Sequence, residues 1–376
     1  MPLYYDDDQT MLAETAQQFM AEEGAIAKQL RHWRDRNCKD GFGHGLWKQF
    51  AEMGFTGILI AEEDGGLGLG HVEAGVVLEE IGRNLTPSPF LTTAVAAVAA
   101  LNGSAQRERW FPGILSGETV AALAIDERAK HTAGIAMQAE RSGNGFRLNG
   151  AKQFVTHGHI ADLILVAART GGSANDREGI TLFAVPKDAS GMTAEAERLA
   201  DSSIAARLRF DGVEVDADAV IGEVDQGDKV LDTLLAAGRA GASAEMLGVG
   251  AGAMTLTVDY LKERKQFGSR IGSFQALQHR AAHLYSEMEV ARAAVLKAQQ
   301  LLDSGAAEAS RAVSVAKAMT GLATTLSVQE GIQMHGGIGM TDEYDIGFYM
   351  KRARVLAEMF GDANYHANLL AEMTGY

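Results

Sequence analysis

YLKERKQFGSRIGSFQALQ, Tyr260 to Gln278, sets a basic cluster (Lys262, Arg264, Lys265) beside two aromatics, Phe267 and Phe274, around a helix-stopping Gly268. Helical patterns with no proline flank the stretch, since Pro186 is the last proline of the chain. Guanidinium groups and free backbone N–H groups at such a break favour negative charge, so the stretch suits an anionic group such as a pyrophosphate. A plain helix–helix turn with solvated charges is the alternative reading.

Around it the period is helical. Met246, Val249, Ala253, Leu256 and Tyr260 make one stripe, and Leu284, Met288, Ala291, Val295 and Leu302 a second. Val313, Lys317, Thr320, Thr324 and Val328 lie on a third helix, with Ala316 and Met319 on its apolar side, and a fourth is predicted from about Ala353 to Met373. Four Ala-rich helices predict a bundle, and close Ala packing favours oligomerisation. Upstream the period is shorter. Leu163 to Ala168, Ile180 to Val185 and Leu208 to Val215 are β-rich, and Phe146 to Thr156 is predicted as a hairpin turning at Asn149-Gly150. Such spacing predicts a small sandwich or barrel. Nearer the N-terminus, Leu12, Ala16, Phe19 and Met20 return to helical spacing, as do Leu46, Phe50, Met53 and Gly54. The expected class is α+β, with an N-terminal helical domain (1–119), a middle β-sandwich or barrel domain (120–223) and a C-terminal four-helix bundle (224–376).

Composition narrows the function classes. A 376-residue chain exceeds one ordinary core. No apolar run is long enough to span a membrane, and Asp6-Asp7-Asp8 stands where a signal peptide would be basic. The single Cys38 rules out an internal disulfide and points to a reducing cytoplasm. A net charge of −15 argues against nucleic acid or an anionic membrane as the main partner. An anionic ligand therefore needs a local basic site.

Several motifs lead nowhere. His279 and His283 have the spacing of a zinc helix, but Arg280 stands where a metalloprotease has its Glu, and no further ligand set is visible. His157-Gly158-His159 reads as a loop beside a site rather than a metal ligand pair. Gly248-Val249-Gly250-Ala251-Gly252 and the turn Gly65 to Gly70 look like dinucleotide loops, yet neither follows a strand in a βαβ unit. The former reads as close helix packing. Gln333-Met334-His335-Gly336-Gly337-Ile338-Gly339-Met340 ends the third long helix in a glycine turn, either a simple cap or a backbone approaching a ligand.

Together these pieces resemble the acyl-CoA dehydrogenase family, nearly end to end. EEDGGLGLG resembles the family's E-x-x-G-G-x-G turn, and LNGAKQFVTHG its N-G-x-K-x-W-I-T-N segment. RKQFGSRIGSFQALQHR and QMHGGIGMTDEY are the most specific matches. The resemblance implies FAD as cofactor, an acyl-CoA substrate and an electron-transfer flavoprotein as electron acceptor. It implies that Arg264, Gln266, Phe267 and Gln275, with Gln333, Gly336 and Gly337, reach the FAD of a neighbouring subunit, and that Thr156 faces the flavin. The chemistry removes a weakly acidic α-proton from a thioester, which needs a positioned carboxylate, a polarised carbonyl and a hydride acceptor together.

The family's carboxylate position, counted from Lys351-Arg352-Ala353-Arg354, holds Phe360 followed by Gly361. An alternative position, twenty-six residues before Arg264, holds Gly238 beside Arg239. Glu245 and Asp362 are nearby carboxylates considered as relocated bases, Glu245 reading rather as a structural ion pair. AIDERAKHT, Ala124 to Thr132, departs from the family's T-E-P-x-x-G-S-D flavin loop, and Phe154 replaces the usual Trp. This pattern is similar to the small subunits of pimeloyl-CoA dehydrogenase and of heteromeric steroid side-chain dehydrogenases. The expectation is a base-lacking small subunit completing a large partner's FAD site. Alternatives are a homotetramer with a relocated base, a related flavin monooxygenase, or a flavin-free scaffold subunit.

Overall fold

The computed structural model describes residues 2–132 and 134–376. Helices α1 (Asp7–Glu22), α2 (His32–Asp35), α3 (His44–Glu52), α4 (His71–Arg83), α5 (Val98–Leu101) and α6 (Arg107–Leu115) come first. Strands β1 (Ala121–Ala124), β2 (Gln138–Ser142), β3 (Gly145–Thr156), β4 (Leu163–Arg169), β5 (Ile180–Pro186), β6 (Met192–Arg198), β7 (Ile204–Asp216) and β8 (Val220–Ile221) follow. The C-terminal part holds α7 (Gly227–Glu263), β9 (Lys265–Gln266), β10 (Ser269–Arg270), α8 (Gln275–Asp303), α9 (Ala309–His335), α10 (Ile346–Glu358) and α11 (Ala363–Met373). Two compact units form: one from the residues up to His32, His71–Pro87 and Arg239–Tyr376, the other from Trp33–Gly70 and Ser88–Gly238. Among the described residues no helix is long and apolar enough to cross a membrane.

In the second unit the strands run β6-β7-β3-β2-β4-β5-β8, with β1 parallel to β4. The two halves of the sheet meet through one pair, Gln138 with Arg169. The expected turn at Asn149-Gly150 is corrected: β3 runs straight through it. The reason lies in β7, which pairs with β3 on both sides of a bulge between Leu148 and Gly150. Asn149 Oδ1 accepts the Gly212 N–H at 2.8 Å, and Gly150 supplies φ +147, so the dipeptide serves the bulge rather than a turn. The chain reverses instead at Gly143-Asn144, where Ser142 pairs with Gly145 and Gly143 has φ +56.

In the first unit, α1 starts with a capping box: Asp6 accepts the Gln9 N–H at 2.9 Å, and the Gln9 side chain accepts the Asp6 N–H at 3.2 Å. The 37-residue α7 belongs to this unit from Arg239 onward. On one side it meets α4 backbone to backbone, because a Cβ at Gly248 would lie 1.8 Å from the Glu79 carbonyl oxygen and one at Gly82 2.0 Å from that of Glu245. On another side α9 packs closely, Thr324 donating to the Met246 carbonyl and Ser327 to that of Gly250, each at 2.9 Å. The expected fourth helix from Ala353 to Met373 is also corrected. It breaks into α10 and α11, because Phe360 (φ +58) and Gly361 (φ +105) turn the chain and Asp362 caps the new start.

Candidate functional site

The basic stretch is not a bare helix–helix turn. After α7 the chain makes a two-stranded hairpin, β9 with β10, whose two turn residues Phe267 (φ +51) and Gly268 (φ +79) are both left-handed. Phe267 stands 91% exposed at its tip, 6.3 Å from the Phe274 ring that precedes α8. Among the described residues Arg264, Lys265 and Arg270 form no ion pair, while Lys262 sits 3.7 Å from Asp259. A chain with a net charge of −15 thus carries three uncompensated cations and two accessible rings on one hairpin and its exit. Gln266 lies on β9, and Gln275 is the first residue of α8.

The glycine turn is brought to the same end of the bundle. Leu261, Leu284 and Met334 form a buried cluster, with Ile271 and Leu277 packed on it, so α7, α8 and α9 converge beneath the hairpin. Gln333 is exposed on the last turn of α9, and His335 ends that helix. Gly336 takes φ +64, ψ −139, and no atom lies within 4 Å of a Cβ built on Gly336 or Gly337. This leaves an open backbone surface beside the cationic hairpin.

At the α10–α11 break the backbone is held by side chains. The Phe360 carbonyl accepts from Arg239 Nε at 3.0 Å and from His366 Nε2 at 3.2 Å. Lys317, fully buried, donates to the Leu356, Ala357 and Gly361 carbonyls at 3.2, 3.1 and 2.9 Å. The side chain presented at the break is Phe360, itself only 7% exposed. Nearby carboxylates are engaged: Asp362 accepts the Tyr365 N–H at 2.8 Å as the cap of α11, Glu358 pairs with Arg354 at 3.0 Å, and buried Glu245 pairs with Arg352 at 2.6 Å.

Lys317 gives a testable pH effect. Burial, with the Arg239 charge second, lowers its ammonium from 10.5 to about 7. Between those values the unfolded chain binds more protons here than the folded one, so the contribution of Lys317 to stability grows as pH rises through that window. Lys317→Met leaves three carbonyl oxygens without their donor and is expected to cost roughly 3–5 kcal/mol. The gap between wild type and variant widens toward pH 9 by at most about 1.4 kcal/mol per pH unit. Urea melts at pH 7 and pH 9 check this, and a gap that narrows would contradict it.

Three family models match the chain in order: the acyl-CoA dehydrogenase N-terminal domain over residues 6–118, the middle domain over 125–213 and the C-terminal domain over 225–374. The chain is 30% identical to the acyl-CoA dehydrogenase FadE12 of Mycobacterium tuberculosis, covering 86% of each protein. The chain belongs to the acyl-CoA dehydrogenase family. It is also 29% identical to the short/branched chain specific acyl-CoA dehydrogenase of Bos taurus, over 99% of this chain and 87% of that protein. Among solved structures it resembles a variant of the Tcur3481–Tcur3483 steroid ACAD, with 29% identity, a TM-score of 0.89 and 98% of each chain covered.

Acyl-CoA dehydrogenases are FAD-dependent flavoprotein oxidoreductases. The hairpin and glycine turn fit such a group: unpaired cations match a pyrophosphate, exposed rings match stacked heterocycles, and an open glycine backbone allows close approach. The loop Ala124 to Thr132 looks different, because its polar groups are taken up by β3 and by the residues leading into β2. Lys152 Nζ donates to Glu127 at 2.8 Å and to the Ile125 carbonyl at 2.9 Å, Glu127 also accepts the Ala136 and Met137 N–H groups, and His131 pairs with Asp126 at 2.8 Å. Thr156 ends β3, half-buried, next to the left-handed His157.

Backbone strain marks the same places. Eight non-glycine residues among those described have positive φ, and three of them are phenylalanines: Phe154, Phe267 and Phe360. A bulky residue there costs on the order of 1–2 kcal/mol, so the surrounding fold imposes the conformation. They fall beside Thr156, at the hairpin tip and at the expected base position. Sequence reading did not find this, because αL geometry at Phe has no local signature.

Proposed function

We propose that this chain is the base-lacking small subunit of a heterotetrameric, FAD-dependent acyl-CoA dehydrogenase, contributing to α,β-desaturation of an acyl-CoA by completing a large partner's FAD site. What supports this is Phe360, the residue at the expected base position: its ring is buried at the α10–α11 break, and the neighbouring carboxylates Glu245, Glu358 and Asp362 are engaged elsewhere. On this reading the α-proton is taken by a carboxylate of the partner subunit.

What the chain supplies is binding. Arg264 offers a bidentate cation to the pyrophosphate, Phe267 an exposed ring, and Gln266, Gln275 and Gln333 amide donors and acceptors. Gly336 and Gly337 let backbone approach the cofactor, and Thr156 is our proposed flavin-facing hydroxyl. FAD, when bound, supplies a two-electron acceptor for the hydride leaving the β-carbon. An electron-transfer flavoprotein then takes the electrons onward. The name Tcur3481–Tcur3483 pairs two components, which supports the heteromeric reading. We retain 1–119, 120–223 and 224–376 as the proposed domains and the cytoplasm as the proposed location.

A homotetramer with a relocated base is less well supported, since Glu245 is tied to Arg352 and Asp362 to the α11 cap. The test is to purify the chain alone and with its genomic neighbour, then measure flavin per chain and acyl-CoA desaturation. Alone it should hold little flavin and turn over at least about 10²-fold more slowly than the pair, as expected when a catalytic group is absent. Ordinary turnover of the lone chain with one flavin per subunit would refute the proposal. In that event Glu245→Gln and Asp362→Asn identify the base by which one abolishes turnover.

A further inference from the structure

His335 lies in a stack that nothing in the reaction chemistry calls for. Its ring centroid is 4.5 Å from that of Tyr260, on the last turns of α7, and 4.8 Å from that of Tyr344, on the segment between α9 and α10. The side chain is 3% exposed. Its Nδ1 lies 2.6 Å from the Gly331 carbonyl oxygen, which sets Nδ1 as the N–H donor and fixes the ring plane. The segment carrying Tyr344 is fastened in turn by Arg31. Its guanidinium donates to Asp345 at 2.8 Å and to the Asp342 and Glu343 carbonyls at 3.0 and 3.2 Å, while lying 4.6 Å over the Phe348 ring.

The stack is a second tie between two segments that the Leu261, Leu284 and Met334 cluster already brings to one end of the bundle. Four residues after Tyr260 comes Arg264 and the exposed hairpin; immediately after His335 come Gly336 and Gly337, with no side chains of their own. A glycine pair has many accessible conformations, so the residue before it helps to set its placement, together with the 3-10 turn it opens. We infer that His335 is a positioning residue: by stacking between Tyr260 and Tyr344 it holds the Gly336–Gly337 turn in register with the Arg264 hairpin, so that both meet one ligand. The link to that ligand rests on the FAD reading above; the link between the two segments does not.

Two readouts separate these. Trypsin cleavage after Arg264, Lys265 and Arg270 in the lone chain reports hairpin order without flavin. Flavin affinity and the flavin absorption band shape, measured on the complex with the partner subunit, report the ligand. His335→Ala should speed hairpin cleavage, raise the flavin Kd at least about tenfold and shift the band, while the melting temperature stays within a few degrees. His335→Phe keeps the stack and should restore most of both. Arg31→Leu, which loosens the segment carrying Tyr344, should move both in the same direction as His335→Ala, and keeps the test open if that variant does not fold. Unchanged cleavage in His335→Ala and Arg31→Leu overturns the inference. Faster cleavage with unchanged flavin affinity keeps the positioning role and overturns the assignment of these segments to FAD.

Discussion

Arg264→Glu should release the flavin from the complex of this chain with its partner while leaving the fold of the chain intact. Arg264 is exposed and has no ion-pair partner among the described residues, so in the apo chain its charge stabilises nothing that the substitution removes. Surface changes of this kind usually stay within about 0.5 kcal/mol. Against a pyrophosphate the balance is different. A charge-assisted hydrogen bond to a phosphate contributes roughly 1.5–3 kcal/mol, and a carboxylate in its place adds repulsion of similar size. The sum, about 3–6 kcal/mol, corresponds to a roughly 10²- to 10⁴-fold weaker flavin complex. Lys265 and Arg270 stay on the hairpin and keep the loss from being larger. The measurement is the flavin-to-protein ratio after desalting, followed by flavin titration and a thermal melt. Wild-type flavin retention in the variant would remove the hairpin from the cofactor site.

Gly248→Ala should be the most damaging single methyl group in the first unit. Its Cβ would lie 1.8 Å from the Glu79 carbonyl oxygen and 2.8 Å from the Arg83 N–H nitrogen, both backbone atoms of α4 that cannot rotate away. Relieving the overlap needs α4 and α7 to separate by more than 1 Å, since real Cβ contacts stay above 3.0 Å. That separation opens the layer of charges built at the crossing, where Glu79 pairs with Arg83 at 2.9 Å and with Arg292 at 2.5 Å. Overpacking that shifts a helix, combined with a loosened buried ion pair, is expected to cost more than about 4 kcal/mol and to yield insoluble protein. Gly347→Ala is the matched control. No atom lies within 4 Å of a Cβ there, and the site is inside α10, so alanine should be neutral or stabilise by up to about 1 kcal/mol. Equal melting curves for the two variants would show that the α4–α7 contact is less tight than the backbone geometry implies.

Much of the fold was legible in patterns that report the local period of burial. Met246, Val249 and Ala253 lie buried on α7, and Leu284, Met288 and Ala291 on α8, at the spacing of their stripes. Leu163 to Ala168 and Ile180 to Val185 are buried strand residues because both lie in the interior of the sheet. Where sequence reading failed, the deciding contact came from a distant residue. Asn149-Gly150 has the composition of a hairpin turn, but pairing with β7 on both sides turned it into a bulge. Ala353 to Met373 has helical periodicity throughout, but Arg239, Lys317 and His366 hold the carbonyls of Leu356, Ala357, Phe360 and Gly361 at the break.

The candidate site divides along the same line. By itself the sequence determined the residue types and their spacing: a cationic, aromatic stretch at 260–278, a glycine turn at 333–340, and a phenylalanine followed by glycine at 360–361. These follow from composition and motif; they were enough to identify the family, and they led to the expectation that the base position holds Phe360 rather than a carboxylate. Only the tertiary structure decided that the first two segments share one end of the bundle, through the Leu261, Leu284 and Met334 cluster and the Tyr260–His335–Tyr344 stack. It alone set Phe154, Phe267 and Phe360 in left-handed conformations that phenylalanine does not choose. The physical reason is that a side chain's type is a local property, whereas its neighbours and its strain depend on contacts tens to hundreds of residues away.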